Sequence, residues 1–297
     1  MKVVIFGSTQ IKHIDSIYRE LGWTTKFLAD SAGNPWMKLV NIFRILWADT
    51  VYRVGGCDYK TIPLLRLAKL LRKKVIIHWI GTDVIVQTEK YRKNPQIINA
   101  SIINLAVSEN LSEELRRIGV ESDYVPIVPA DIPYPPAPPM PEHHKIMVYL
   151  PKGREHFYGW DEVVCLATHF PEIPFNIVAH DGEGLSDYPS NIVFKGSLNH
   201  EALMELYQET SLLLRLTEHD GLPVMMLEAQ GLGRKVMHYY QFPYVITPDN
   251  SSEEGLLKSF GQFISQPPAL DMDAKNYVDE TFNHTSIAKL YREKGLA

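Results

Sequence analysis

Short apolar, β-branched runs alternate with longer stretches of helical period along most of the chain. Lys2–Phe6 predicts a buried strand that leaves through the loop Gly7-Ser8-Thr9. A helix over Ile11–Leu21, a strand over Thr24–Leu28 and a helix over Pro35–Trp47 follow. Thr50–Val54 is the next strand and stops at Gly55-Gly56; Pro63–Lys73 is a basic helix. The strand Val75–Ile80 is closed by Gly81-Thr82-Asp83, and Leu105–Val107, the helix Leu111–Ile118 and Tyr124–Val128 complete the first half. Alternation of this kind predicts helices packed on a parallel sheet. The first strand-to-helix turn lacks G-x-G-x-x-G, which argues against a dinucleotide site.

Eight prolines then fall between Pro126 and Pro141. That density disfavours regular structure and predicts a stiff, extended connector, so a domain boundary belongs here. The alternation restarts with the strand Ile146–Leu150, the helix Tyr158–Phe170 and the strands Phe175–Val178 and Ile192–Phe194. Glu201–Glu209 is a helix, Ser211–Leu214 an apolar run, and Val236–Tyr239 a strand; Glu253–Ile264, Asp273–Thr281 and Thr285–Lys294 close the chain as helices. The expected division is 1–128, a linker over 129–145, a second α/β domain over 146–282, and a final helix in 283–297 that packs back towards the first domain.

Between Ser211 and Val236 lies the stretch with the most chemistry. A polar loop, Thr217-Glu218-His219-Asp220-Gly221, leads through Leu222-Pro223 into a helix that ends near Gly231 and Gly233. Asp220 stands in the loop and Glu228 inside the otherwise apolar helix, where a carboxylate is costly without a partner. Taken alone, the pair reads as a helix-start acid and a surface Glu. With Gly221, Pro223, Ala229 and the turn Gly231-Leu232-Gly233-Arg234-Lys235-Val236 around it, the stretch resembles the acid-x7-Glu signature of glycosyltransferase family 4, with Asp220 in place of the usual first Glu. The resemblance implies a GT-B fold over essentially the whole chain: two Rossmann-like α/β domains with parallel sheets facing a central cleft.

It also implies a set of site residues. In the family an Arg and a Lys, six residues apart and the Lys followed by Gly, neutralise the diphosphate of the donor. This chain has Lys152 and Tyr158 at that spacing, with Gly159 after the tyrosine, and Arg154 is the nearby candidate for the missing cation. The carried-over roles are Lys152, Arg154 and Asp220 as catalytic residues and Glu228 on the ribose hydroxyls. Gly221, Leu222, Pro223 and His219 would line the donor, with Gly196, Ser197 and Leu198 near its base. On the acceptor side the candidates are Gly7, Ser8 and Asp83. His219 reads equally as a general base or as a loop histidine orienting its neighbours, and His180 as a donor neighbour or part of a turn. His78, inside an apolar strand, reads as a core histidine. Asp271-Met272-Asp273 has helix-cap placement, and no metal or other cofactor is expected beside the nucleotide-diphosphate sugar.

Composition narrows the rest. With 45% hydrophobic and 22% charged residues the chain is an ordinary globular protein, and a formal charge of −5 argues against a general nucleic-acid binder. Two cysteines, Cys57 and Cys165, make neither a metal spacing nor a disulfide framework, which suits a reducing cytoplasm. The implied function is a retaining, metal-independent hexosyltransferase of polysaccharide biosynthesis that moves a sugar to a glycan or lipid-linked acceptor. A nucleotide-sugar epimerase and a catalytically weak nucleotide-sugar binder remain the alternatives. The helix Pro63–Lys74, with five cations, and the Trp-ended helix Pro35–Trp47 add an anionic membrane surface as an expected partner, at the inner face.

Overall fold

In the computed structural model the described residues are 1–7, 10–28, 34–56, 62–86, 102–128, 134–249 and 252–296. Contacts divide the chain into two units, residues 1–130, 220–222 and 281–297 against 131–219 and 223–280.

The first unit is a parallel sheet of β1 (Lys2–Gly7), β2 (Thr24–Phe27), β3 (Thr50–Val54), β4 (Lys74–Trp79), β5 (Ile103–Ala106) and β6 (Asp123–Tyr124). Their order is β2-β1-β3-β4-β5-β6. The apolar run Val3–Ile5 is buried on both faces, as a central parallel strand requires. The helices are α1 (Ile11–Glu20), α2 (Pro35–Trp47), α3 (Ile62–Leu70) and α4 (Glu109–Arg117). Asn34 starts α2 by accepting from the amides of Trp36 (3.0 Å) and Met37 (3.2 Å), ahead of a proline that needs no amide partner. The chain steps from β1 to β2, then back past β1 to β3 and on to β4. Right-handed crossovers therefore set α1 on one face of the sheet and α2 with α3 on the other.

A buried polar chain runs through this unit. Val125 O can only accept, so His78 Nε2 carries the proton and donates to it at 2.7 Å. His78 Nδ1 then accepts from the Tyr52 hydroxyl at 2.7 Å, and that oxygen is 2.9 Å from the hydroxyl of Tyr291. Tyr291 lies on the last helix, whose start meets α1 through His284 Nδ1 and Glu20 Oε2 at 3.4 Å. His78 is thus a satisfied core residue. Burial lowers its pKa to about 3, while the carbonyl of Val125 pulls the other way.

The second unit is also a parallel sheet, of β7 (Ile146–Tyr149), β8 (Phe175–Val178), β9 (Ile192–Gly196), β10 (Leu212–Arg215), β11 (Lys235–His238) and β12 (Val245–Ile246). The order is β12-β11-β10-β7-β8-β9. The helices are α5 (Trp160–His169), α6 (His200–Gln208), α7 (Val224–Gly231), α8 (Glu253–Ile264), α9 (Met272–Thr281) and α10 (His284–Glu293), the last grouping with the first unit. Ile146, Val148, Leu212 and Leu214 of the central strands pack with Leu166 of α5 and Phe260 of α8.

From Tyr134 on, the proline-rich segment forms no helix or strand and groups with the second unit. Fully buried Arg234 holds it, donating from Nη2 to Pro139 O (3.0 Å) and Gln208 O (3.1 Å) and from Nε to Tyr207 O (2.9 Å). Two of those carbonyls end α6, where a cation meets the negative pole of the helix. Lys275 Nζ adds bonds to Tyr134 O at 3.2 Å and Gly231 O at 2.9 Å. Two expected elements differ and one was not expected. Only Asp123–Tyr124 of the run to Val128 pairs as a strand, Tyr158 precedes its helix instead of belonging to it, and β12 has too few residues to announce itself. Linker residues 129–133 lie outside the described residues.

The pKa of His78 in the folded protein lies below its unfolded value near 6.5. Stability contributed by the neutral imidazole is therefore complete above that pH and lost as pH falls towards 3, at about 1.4 kcal/mol per pH unit. Urea unfolding of the wild type and His78→Gln should show the wild type's advantage shrinking at about that rate between pH 6 and pH 4. A gap constant with pH would refute the depressed pKa.

Candidate functional site

Strand order picks out one point on the second sheet. The chain runs from β7 outward through β8 and β9, then returns to lay β10 on the other side of β7. Ligands of open parallel sheets sit beyond the carboxyl ends at such a reversal, because the two adjacent connections leave in opposite directions and open a crevice.

The loops leaving β7 and β10 are held together here. Residues His156–Tyr158 form a single 3-10 turn, ended by Gly159 at φ 76°, which also starts α5. A Cβ on Gly159 would stand 2.5 Å from Leu216 O and 2.8 Å from Leu216 Cβ, so only glycine fits. The amide of Glu218 donates to Phe157 O at 3.0 Å and closes the same seam.

The seam gathers cations around an aromatic ring. Arg215, the last residue of β10 and buried, places its guanidinium 5.4 Å from the Tyr158 ring and 5.2 Å from that of Tyr149, the last residue of β7. Arg154 approaches Tyr158 at 5.3 Å and Phe157 at 4.2 Å. Two planar, permanently charged forks thus flank the ring that stands where the family pattern has a lysine. Arg215 is the residue missed by sequence reasoning. Its signal was a charge ending the apolar run Leu212–Leu214 at the mouth of the polar loop.

Lys152 occupies the same β7 loop, half-exposed, with its ammonium hydrogen-bonded to Glu183 and 3.6 Å from Asp181 Oδ1. The bond to Glu183 and the charge of Asp181 hold its pKa above the usual lysine value. Behind it, His180 Nδ1 accepts from the Gly182 amide at 2.8 Å, so Nε2 carries the proton and donates to Glu155 Oε1 at 2.9 Å. Glu155 also accepts the Gly153 amide at 2.6 Å, the main cause of its lowered pKa. His180 is accordingly a turn residue that braces the β7 loop.

Buried Glu228, on α7, has the partner that its position demands. The Tyr207 hydroxyl lies 3.0 Å from Oε2, and His200 Nδ1 is 4.0 Å from Oε1. Burial first, and the Glu228 charge second, push the Tyr207 phenol well above its ordinary pKa, so it stays a donor. Gly196 ends β9 at φ 67°, with Ser197 exposed and Leu198 half-buried after it. His219 is buried, its ring edge-on to Tyr240 at 6.2 Å, and its carbonyl accepts the Thr217 hydroxyl at 3.2 Å. Pro223 is the N-cap of α7.

The remaining candidates belong to the first unit. Asp220 Oδ1 accepts from the Gly221 amide at 3.0 Å, and Gly221 has no room for a Cβ, which would lie 2.3 Å from Ile80 O. Leu222 is buried beside them in sequence. Gly7, at φ 134°, ends β1 where a Cβ would strike Val54 O at 1.9 Å, so close strand packing requires it. Asp83 accepts from the amides of Gly81 (2.6 Å) and Ile80 (3.1 Å); burial raises its pKa to about 6 against those donors. Ser8 lies outside the described residues. Asp271 caps α9, accepting from the Ala274 amide at 3.0 Å, and pairs with Lys235 at 2.8 Å.

No family model and no curated protein sequence matches the chain. Its backbone does match solved structures along its length. A sucrose-phosphate synthase from Thermosynechococcus elongatus superposes with a TM-score of 0.69 at 12% identity, covering 100% of both chains. The lipopolysaccharide outer core galactosyltransferase WaaB gives 0.69 at 14% identity over 98% of each chain. HepE from Anabaena, solved in complex with UDP, gives 0.68 at 12% identity over 99% of each. The fold is GT-B. Within it the β7 and β10 loops described above stand at the strand-order reversal of the C-terminal Rossmann-like sheet.

Because Gly159 is left-handed and abuts Leu216, Gly159→Ala should be costly. We expect a loss of about 2 kcal/mol or more, since a left-handed L-residue alone costs roughly 1–2 kcal/mol and the contact adds to it. Thermal unfolding checks this, and an unchanged Tm would show that the two loops are not bound by that contact.

Proposed function

We propose that the chain is a retaining glycosyltransferase that transfers a hexosyl group from a nucleotide-diphosphate sugar to a glycan or lipid-linked acceptor, with no metal ion. The observation that carries this reading is the convergence of Arg154 and Arg215 on Tyr158 at the carboxyl ends of β7 and β10. Support also comes from the GT-B likeness, which includes a galactosyltransferase and a structure solved with UDP.

The chemistry demands little of the protein beyond electrostatics and position. The bond between the anomeric carbon and the diphosphate oxygen breaks, a bond to the acceptor's hydroxyl oxygen forms on the same face of the sugar, and the hydroxyl proton passes to the departing diphosphate. Negative charge develops on the departing diphosphate. Arg154 and Arg215 would meet it with bidentate forks, Lys152 with a point charge shared with Glu183 and Asp181, and the amino end of α7 with backbone amides. In this reading Glu228, held by Tyr207, accepts from the ribose hydroxyls and Asp220 from those of the sugar. Gly196, Ser197 and Leu198 border the base, and Gly221, Leu222, Pro223 and His219 shape the donor loop. Gly7, Ser8 and Asp83 belong to the acceptor side. A cytoplasmic location with peripheral attachment to an anionic inner leaflet completes the reading, in keeping with described helices too short and polar to cross a membrane.

Incubation with UDP-, GDP- and ADP-sugars, with and without acceptors, tests it. Acceptor-dependent release of the nucleoside diphosphate and retained anomeric configuration by NMR are the expected results. Appearance of a new nucleotide sugar would instead favour epimerisation, and inversion would remove the assignment. Each charge-assisted contact is worth roughly 1.5–3 kcal/mol, so Arg154→Ala or Arg215→Ala should lower the rate on the order of tenfold to a hundredfold. Glu228→Ala should weaken donor binding by calorimetry, while Asp220→Ala should lower turnover more than affinity for the free nucleoside diphosphate. Chelator should change nothing. Full activity in an Arg154→Ala/Arg215→Ala double variant would show that the diphosphate sits elsewhere.

A further inference from the structure

Helix α2 turns its most apolar side outward. Asn41 and Ile45 are its buried residues, whereas Trp36 (70% exposed), Leu39, Ile42, Phe43 (61%) and Leu46 all face solvent. At about 100° per residue these five fall in one arc of roughly 120°. A soluble surface scatters single apolar residues; a contiguous stripe marks an interaction site.

Charge identifies what the stripe meets. Residues 34–48 and 62–74 contain no Asp or Glu, yet hold Lys38, Arg44, Arg66, Lys69, Arg72, Lys73 and Lys74, in a chain of formal charge −5. The two segments share one face of the sheet, and Lys73 Nζ donates to Leu46 O at 3.0 Å, tying the end of α3 to the end of α2. Leu70 is 79% exposed at that junction. Lys26 Nζ stands 4.2 Å over the ring of Trp47 at the close of α2. The nearest acid in sequence, Asp49, is engaged by the amide of Lys2 at 2.9 Å.

We propose that α2 lies in the plane of an anionic bilayer, with Trp36, Leu39, Phe43 and Leu46 inserted at the headgroup boundary and Lys38, Arg66 and Arg72 on the lipid charges. The partner is a lipid surface and not a second copy of the chain. Apposing two identical faces would set seven cations against seven, whereas anionic lipid supplies both the opposite charge and an apolar depth. With 13 residues α2 is about 20 Å long, so it lies on a bilayer and does not cross it. The proposal rests on the membrane part of the reading above and not on sugar transfer, so its assay contains no donor.

The experiment is co-sedimentation of the full chain with vesicles of phosphatidylcholine alone and with increasing phosphatidylglycerol, at low and high salt. Binding should rise with anionic lipid and fall with salt. Trp36→Ser/Phe43→Ser should reduce it by roughly tenfold or more, and Lys38→Gln/Arg66→Gln/Arg72→Gln should remove its dependence on lipid charge. All five side chains are exposed, so both variants should keep the wild-type Tm. Failure to bind, binding indifferent to lipid charge, or full binding by the Trp36/Phe43 variant overturns the proposal. So does a lipid-free dimer in sedimentation equilibrium that this variant dissolves. A chain that transfers sugar to a soluble acceptor yet ignores vesicles loses the membrane proposal alone.

Discussion

The contact between Gly159 and Leu216 is the constraint on which the second unit's candidate chemistry depends. Sheet pairing brings β7 and β10 side by side, but pairing alone leaves their exit loops free to diverge. A residue without a side chain, in a left-handed conformation, lets the β7 loop sit against the backbone leaving β10. The amide of Glu218 then closes on Phe157 O. Arg154 and Tyr158 from the β7 loop and Arg215 from the end of β10 meet because of that approach. Their geometry is fixed by backbone, which is the least adaptable support that a site can have.

Buried charge is handled in three distinct ways, each set by what lies nearby. Arg234 remains a cation, and its partners are neutral carbonyls at the end of α6, so the helix pole supplies the compensating potential. Glu228 has a phenol that burial and the carboxylate itself keep protonated. His78 solves the same problem by staying neutral, between a hydroxyl that donates and a carbonyl that accepts. The first pair of residues lies within one turn-and-helix stretch; the third stabilises the packing of the last helix on the first sheet through Tyr52 and Tyr291. Polar groups in these cores are costly when unpaired, so each one constrains its neighbours more than an apolar side chain would.

Much of the fold was legible because its signals are local. The β-branched runs at Val3–Ile5 and Val51–Val54, the Asn34-Pro35 helix start and the proline cluster each name an element without reference to the rest. The two-residue β12 was not, and β6 was read too long, since pairing and not composition defines such elements. The acid-x7-Glu stretch located the α7 helix and Glu228 on it. It could not reveal Tyr207, which lies twenty-one positions away and reaches Glu228 only through the tertiary fold. Lys152 was visible as a strand-end cation, but its pairing with Asp181 and Glu183 depends on how the β8 loop lies against it. Arg215 was hidden for another reason: a charge next to an apolar run looks like the edge of a strand until the order of strands is known.

The tyrosine at position 158 shows why a residue pattern and a site are different objects. A lysine there would be a compact, strongly hydrated point charge on a flexible stem. Here the ring instead forms a wall, and guanidinium groups from the loop and from the strand end lie against it. Stacking on an aromatic face leaves the edge of a guanidinium, where its donors are, available to an anion. Arg215 also starts from a strand residue, paired with His238 of β11, so its backbone moves less than a loop lysine would. An anion in this crevice would therefore meet fixed forks and pay less to organise them, which is the requirement for stabilising charge that appears only as a bond breaks.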